Sequence, residues 1–134
     1  MKEKSNIAKI AKKYSLKLLL LFGSQANGKS RPDSDFDIAY IAKKKLSMDE
    51  KIDLNNEFIS FFNCDKIDLT DLKEADALLI YEISQNCKLL FGDDKEFANF
   101  KIFAFKNYID HIPLFELEEK LMKKRQKLLK EAIK

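Results

Sequence analysis

The chain of 134 residues holds one histidine, His111, and two cysteines, Cys64 and Cys87. A lone imidazole leaves little from which to build a histidine-based triad or a histidine-rich zinc site. Two cysteines are too few for a disulfide framework, and neither belongs to a C-x-x-C pair, so both are expected to be reduced, mostly buried small hydrophobes. Long apolar runs are also missing. Leu18 to Phe22, the longest near the N-terminus, falls far short of the roughly 20 residues a membrane span requires. The opening Met-Lys-Glu-Lys-Ser lacks the apolar region of a signal peptide, so the cytoplasm is the expected location. Internal repeats and low-complexity linkers are absent from the sequence.

What remains describes a soluble globular chain: 46% hydrophobic and 35% charged residues of both signs. The length suits one domain over residues 1–134, with a core at about 5–92 and C-terminal helices at about 93–134. The net charge of +3 is uneven. Residues 1–18 carry six lysines against one glutamate, and residues 116–134 carry seven Lys/Arg against four Glu, which leaves a middle of −5. An acidic middle suits a carboxylate-lined site that attracts metal cations. The basic ends would suit an anionic partner, although a solvated surface is the commoner meaning of such lysines; direct nucleic-acid binding is not the expected role, and these ends leave RNA contact open.

Hydrophobic spacing predicts an α+β arrangement, a small mixed sheet flanked by helices and followed by two more. Ser5 to Tyr14 is expected to be a helix capped by Ser5, with Ile7, Ala8, Ile10 and Ala11 on one face. Lys17–Phe22 and Asp35–Ile41 are expected strands. Ser47 and Glu50 form a capping-box pattern that opens a helix to about Asn63, with Ile52, Phe58, Ile59 and Phe62 toward the core. Asp65–Leu69 alternates as a third strand, Glu74–Asn86 as a further helix and Lys88–Phe91 as a short strand. Asp93-Asp94 favours a helix from Lys95, which Pro113 is expected to separate from a last one, Leu114 to Ile133.

The chemistry concentrates in Leu18-Leu-Leu-Leu-Phe-Gly23-Ser24, ten residues, then Asp35-Phe36-Asp37 opening a second apolar run. Two carboxylates one residue apart on a strand share a face. If the second and third strands are neighbours, Asp68 can join them at one end of the sheet. Like charges about 4 Å apart at an effective dielectric near 20 repel by about 4 kcal/mol per pair, and a divalent cation would relieve this. Magnesium suits such oxygen ligands, and a third carboxylate can also take a proton from an attacking hydroxyl. A lone Asp-x-Asp more often marks solvated strand-edge acids. Gly-Ser closing an apolar strand changes those odds, because it offers backbone N–H groups and a hydroxyl where phosphate binds. Gly23 to Ser30 also satisfies G-x-x-x-x-G-K-[ST], but Arg31-Pro32-Asp33-Ser34 leaves no room for the helix that a P-loop needs.

Gly23-Ser24, the ten-residue interval and Asp35-Phe36-Asp37 resemble the signature of the DNA polymerase β-like nucleotidyltransferases, and Ile67-Asp68-Leu69 looks like their third-carboxylate strand. Leu69-Thr70-Asp71-Leu72 and Leu79 to Ile83, leading to Lys88-Leu89-Leu90-Phe91, are similar to the minimal nucleotidyltransferases, the MNT antitoxins encoded beside HEPN toxins. The resemblance implies that Gly23 and Ser24 hold a nucleotide triphosphate, that Asp35 and Asp37 bind Mg²⁺, and that Asp68 completes a two-ion site and assists deprotonation. It further implies AMP transfer from ATP to a tyrosine of a HEPN ribonuclease toxin, with a hetero-oligomer as the working form. Asn27 stands where many members have arginine. Two alternatives belong beside this expectation: a non-catalytic antitoxin acting by occlusion, and a small-molecule nucleotidyltransferase.

Overall fold

The computed structural model describes residues 2–23 and 35–133. In chain order these form α1 (Lys2–Lys13), β1 (Leu16–Phe22), β2 (Phe36–Ala42), α2 (Met48–Phe62), β3 (Ile67–Asp71), α3 (Ala77–Gln85), β4 (Cys87–Phe91) and α4 (Asp94–Ile133). The strands make one sheet in the order β3-β2-β1-β4. β1 runs antiparallel to both of its neighbours, while β2 and β3 are parallel and joined through α2, as a parallel pair requires. The mixed sheet with helices on both faces is the expected α+β fold class.

The unbroken leucine run of β1 follows from this position. A central strand covered on both faces has no polar side to display, and Leu18, Leu19 and Leu20 are all 1% exposed or less. Leu19, Leu21, Ile38 and Tyr40 face α1 and α2, meeting Ile7, Ala11, Leu54 and Phe58. On the opposite face Leu18, Leu20 and Ala39 meet Ile80 and Ile83 of α3 and Phe100 and Ala104 of α4. Tyr81 and Tyr108 tie α3 to α4 by stacking with ring centroids 4.0 Å apart.

The Ser47 capping box forms as expected: Glu50 N–H donates to Ser47 Oγ and Ser47 N–H donates to Glu50 Oε1, both at 3.1 Å. Asp93 caps α4, accepting from the Glu96 N–H at 2.7 Å. Three expectations need correction. α1 begins at Lys2, so Ser5 lies inside the helix rather than capping it; Lys-Glu-Lys is a good helix former and carries the helix upstream. Ile52 is exposed on α2, because Leu54 and Phe58, four residues apart, set the buried face and Ile52 lies about 200° from Leu54 around the helix. Pro113 does not separate two helices, since α4 runs through it from Asp94 to Ile133. Proline removes the one N–H that would donate to the Ile109 carbonyl, but the downstream Leu, Glu, Lys, Met and Gln residues have high helix propensity and keep the chain wound. No described helix is long and apolar enough to cross a membrane.

Candidate active site

β1 ends where β2 and β3 begin, and this end of the sheet gathers the expected acids. Phe22 pairs with Asp37 across the antiparallel ladder, and Asp37 pairs with Asp68 across the parallel one. Paired residues point the same way, so Asp37 and Asp68 stand on one face of neighbouring strands about 4.8 Å apart. That is the face on which Ala39, two residues beyond Asp37, meets α3 and α4. On β3, Ile67 and Leu69 pack against the α2 side, which turns Asp68 outward on the other. Asp35 precedes β2 and is exposed, Asp37 is half-buried and Asp68 is exposed.

Packing fixes where β2 starts. Phe36 stacks on Phe62 with centroids 4.6 Å apart, and Phe61 meets Phe62 edge-on at 4.8 Å. The Phe36 N–H donates to the Lys66 carbonyl at 2.9 Å, opening the parallel ladder. The two acids flanking Phe36 are thereby held by an aromatic cluster on the opposite face. Sequence reasoning gave Phe36 no role; its place between two acids was the available signal.

Gly23 is the other half of the corner. Its φ of +75° lies in the left-handed region, and a Cβ built there would collide with the Asp37 carboxylate. Only a residue without a side chain lets the turn lie this close to the acid. Ser24, and with it Asn27 and the segment through Ser34, lies outside the described residues.

The Asp37 carboxyl is pushed above the usual carboxylate range, first by burial and then by the negative charges of Asp68 and Asp35. Among the described residues, no three His, Cys, Asp or Glu side chains form a ready-made group able to hold a metal ion. Magnesium does not need one, because it takes one or two carboxylates from protein and completes its shell with phosphate and water. Paired, outward-facing carboxylates beside a glycine-lined approach fit that ion. A cavity of about 540 Å³ lies alongside β3, lined by Asp68, Thr70 and Asp71 and by Lys51 and Asn55 of α2. Lys51 escaped the sequence reading, for it belongs to no motif and reaches this wall only through the fold.

Residues 5–96 match the family model described as "Polymerase beta, Nucleotidyltransferase". The chain belongs to this family. Its Gly23 turn and the Asp37–Asp68 pairing thus lie within the matched stretch of a polymerase β-type nucleotidyltransferase. Among its relatives, the protein adenylyltransferase MntA of Shewanella oneidensis is 35% identical over 86 residues, 62% of this chain and 61% of that protein. The chain therefore spans about three fifths of the length of this curated relative. A crystal structure of a toxin–antitoxin with AMP-PNP aligns with a TM-score of 0.66 at 24% identity, covering 98% of both chains. The tri-AMPylated Shewanella oneidensis HEPN toxin in complex with MNT antitoxin aligns at 0.60 and 22% identity, covering 98% of this chain and 97% of that one. These two likenesses carry the fold.

Proposed function

We propose that this nucleotidyltransferase is an Mg²⁺-dependent antitoxin that moves AMP from ATP onto a tyrosine hydroxyl of a partner HEPN ribonuclease and so silences it. The observation that carries the reading is the register of Asp37 against Asp68, with Gly23 pressed on Asp37. A relative named as a protein adenylyltransferase and fold neighbours described as toxin–antitoxin complexes, one with an AMPylated HEPN toxin, support the choice of nucleotide and acceptor.

In this reading Gly23 and Ser24 receive the triphosphate, and Asp35, Asp37 and Asp68 are the residues that would hold magnesium. Bound there, the metal would supply positive charge for the oxygens that gain negative charge during transfer. Asp68, the more open of the paired acids, takes the proton of the attacking hydroxyl. The hydroxyl oxygen bonds to the α-phosphorus as the bond to the bridging oxygen breaks, and pyrophosphate leaves. ATP and a ribonuclease meet in the cytoplasm, which is where such an enzyme would act.

The test is incubation of the chain with α-labelled ATP, Mg²⁺ and a candidate HEPN partner from the same genome. Label should enter the partner, and mass spectrometry should place AMP on tyrosine. No transfer, or equal transfer by the Asp35→Ala, Asp37→Ala double variant, would overturn the proposal.

A further inference from the structure

Every residue from Glu116 to Ile133 is exposed, so the distal half of α4 stands clear of the domain. Eighteen residues of helix extend about 27 Å and carry an apolar face that nothing in the domain covers. That face is substantial here. Leu114, Leu121, Met122, Leu128 and Leu129 are between 48% and 62% exposed.

The order of residues along this segment says what covers it. Apolar pairs recur at intervals of seven: Leu114-Phe115, Leu121-Met122 and Leu128-Leu129. Between them, on the same side of the helix, sit Glu118 and Arg125, also seven apart. Their axial separation of about 10.5 Å is far too long for an ion pair within one helix. Turned end over end about the midpoint between Leu121 and Met122, however, the segment maps onto itself. Leu114 meets Leu129, Phe115 meets Leu128, and Leu121 meets Met122. The same operation sets Glu118 against Arg125 within that face and Glu119 against Lys124 at its flanks, while Leu117 falls opposite Gln126. Glu116, Lys120, Lys123 and Lys127 lie on the side away from the leucines and take no part.

We infer that the distal half of α4 is a self-association surface, on which a second copy of this chain lies antiparallel about a two-fold axis at Leu121–Met122. A parallel pair would set Glu118 against Glu118 and Arg125 against Arg125, so the charges select the antiparallel arrangement. The overlap is only some 16 residues, below what a tight dimer buries, so the association is weak and sensitive to salt.

Sedimentation equilibrium of the full chain alone, from about 5 to about 500 µM, tests this. The expected result is a monomer–dimer equilibrium that shifts to monomer in high salt. Glu118→Arg or Arg125→Glu alone should raise the dimer dissociation constant at least about tenfold, since each turns two attractive matches repulsive. The double reversal should return it to within about threefold of the starting value. A monomer at every concentration would overturn the inference, as would a dimer that tolerates the single reversals or one that the double reversal fails to restore. Unchanged far-ultraviolet circular dichroism of these exposed variants separates loss of association from loss of fold.

Discussion

The two ends of the sheet differ in what they do with charge. At one end burial, and after it the charges of Asp68 and Asp35, push the Asp37 carboxyl above the usual carboxylate range. At the other, where β1 begins and β2 and β4 end, lies the larger hollow of about 920 Å³, lined by Lys17, Lys43, Lys73, Asp93 and Glu96 among others. There lysines meet acceptors: Lys17 pairs with Glu96 at 3.4 Å, and Lys73 Nζ donates to the Ala42 carbonyl at 2.5 Å. Charge is matched on the wall of the smaller cavity beside β3 as well, where Glu74 is shared by Lys45 at 3.4 Å and Lys51 at 3.7 Å. Size favours the second end and chemistry the first. A hollow in which Lys17 and Glu96 already neutralise one another has less electrostatic need of a ligand than acids held near one another.

Four experiments would break or sharpen this contrast. The largest effect is expected from Asp37→Ala, which should lower AMP transfer by at least about 10³-fold, while Lys73→Ala at the opposite end stays within about twofold. Equal losses from the two would erase the distinction. Gly23→Ala should cost about 10²-fold in transfer, because the added methyl displaces the Asp37 carboxylate; a rate close to the unaltered one would show that the turn has room to spare.

The third concerns Tyr40, whose hydroxyl is pushed up to about 12 from 10.0 by burial and by the charges of Asp71 and Glu74. A tyrosine pKa raised by folding favours the neutral form in the native state. Its contribution is complete below pH 10 and is lost as the pH rises toward 12. Alkaline denaturation followed by circular dichroism should therefore begin in that window, and Tyr40→Phe should move its onset upward. The smallest effect is expected for Asp37→Asn without magnesium. Removing one of three like charges should stabilise the fold by about 0.5 kcal/mol or less, given the exposure of the site, and thermal melting should show it; a lower Tm would mean that the carboxylate is already satisfied.

Much of the fold could be read from local pattern. The leucines of β1, the alternation of Ile67 and Leu69, and the Ser47–Glu50 box each state their structure within a few residues. Some of the features that escaped depended on partners far along the chain, and others on close contests between neighbouring local signals. Ile52 and Phe58 both look apolar on paper, and only the position of the sheet decides which is covered. Pro113 signals a stop, but the helix propensity of residues 114–133 outweighs it. Asp76 caps α3, accepting from the Leu79 N–H at 2.8 Å, in a stretch whose earlier Glu74 made an equally good start on sequence alone. At the candidate site, Asp35 and Asp37 announce themselves by spacing. That Asp68 stands directly beside Asp37 is a matter of strand register, which no local motif encodes.

That register also says where the gene can change length. A residue gained or lost at 44–45 or 64–65, clear of the Ser47 cap and the Lys66 carbonyl, alters a loop and leaves both ladders in place. Loss of the Ile67 codon, with the start of β3 held in place, would put Leu69's side chain where the acid belongs and leave a carboxylate to face the α2 side. Length variants of this protein should therefore accumulate in its connections and be purged from the first residues of β2 and β3, even where hydrophobicity is preserved.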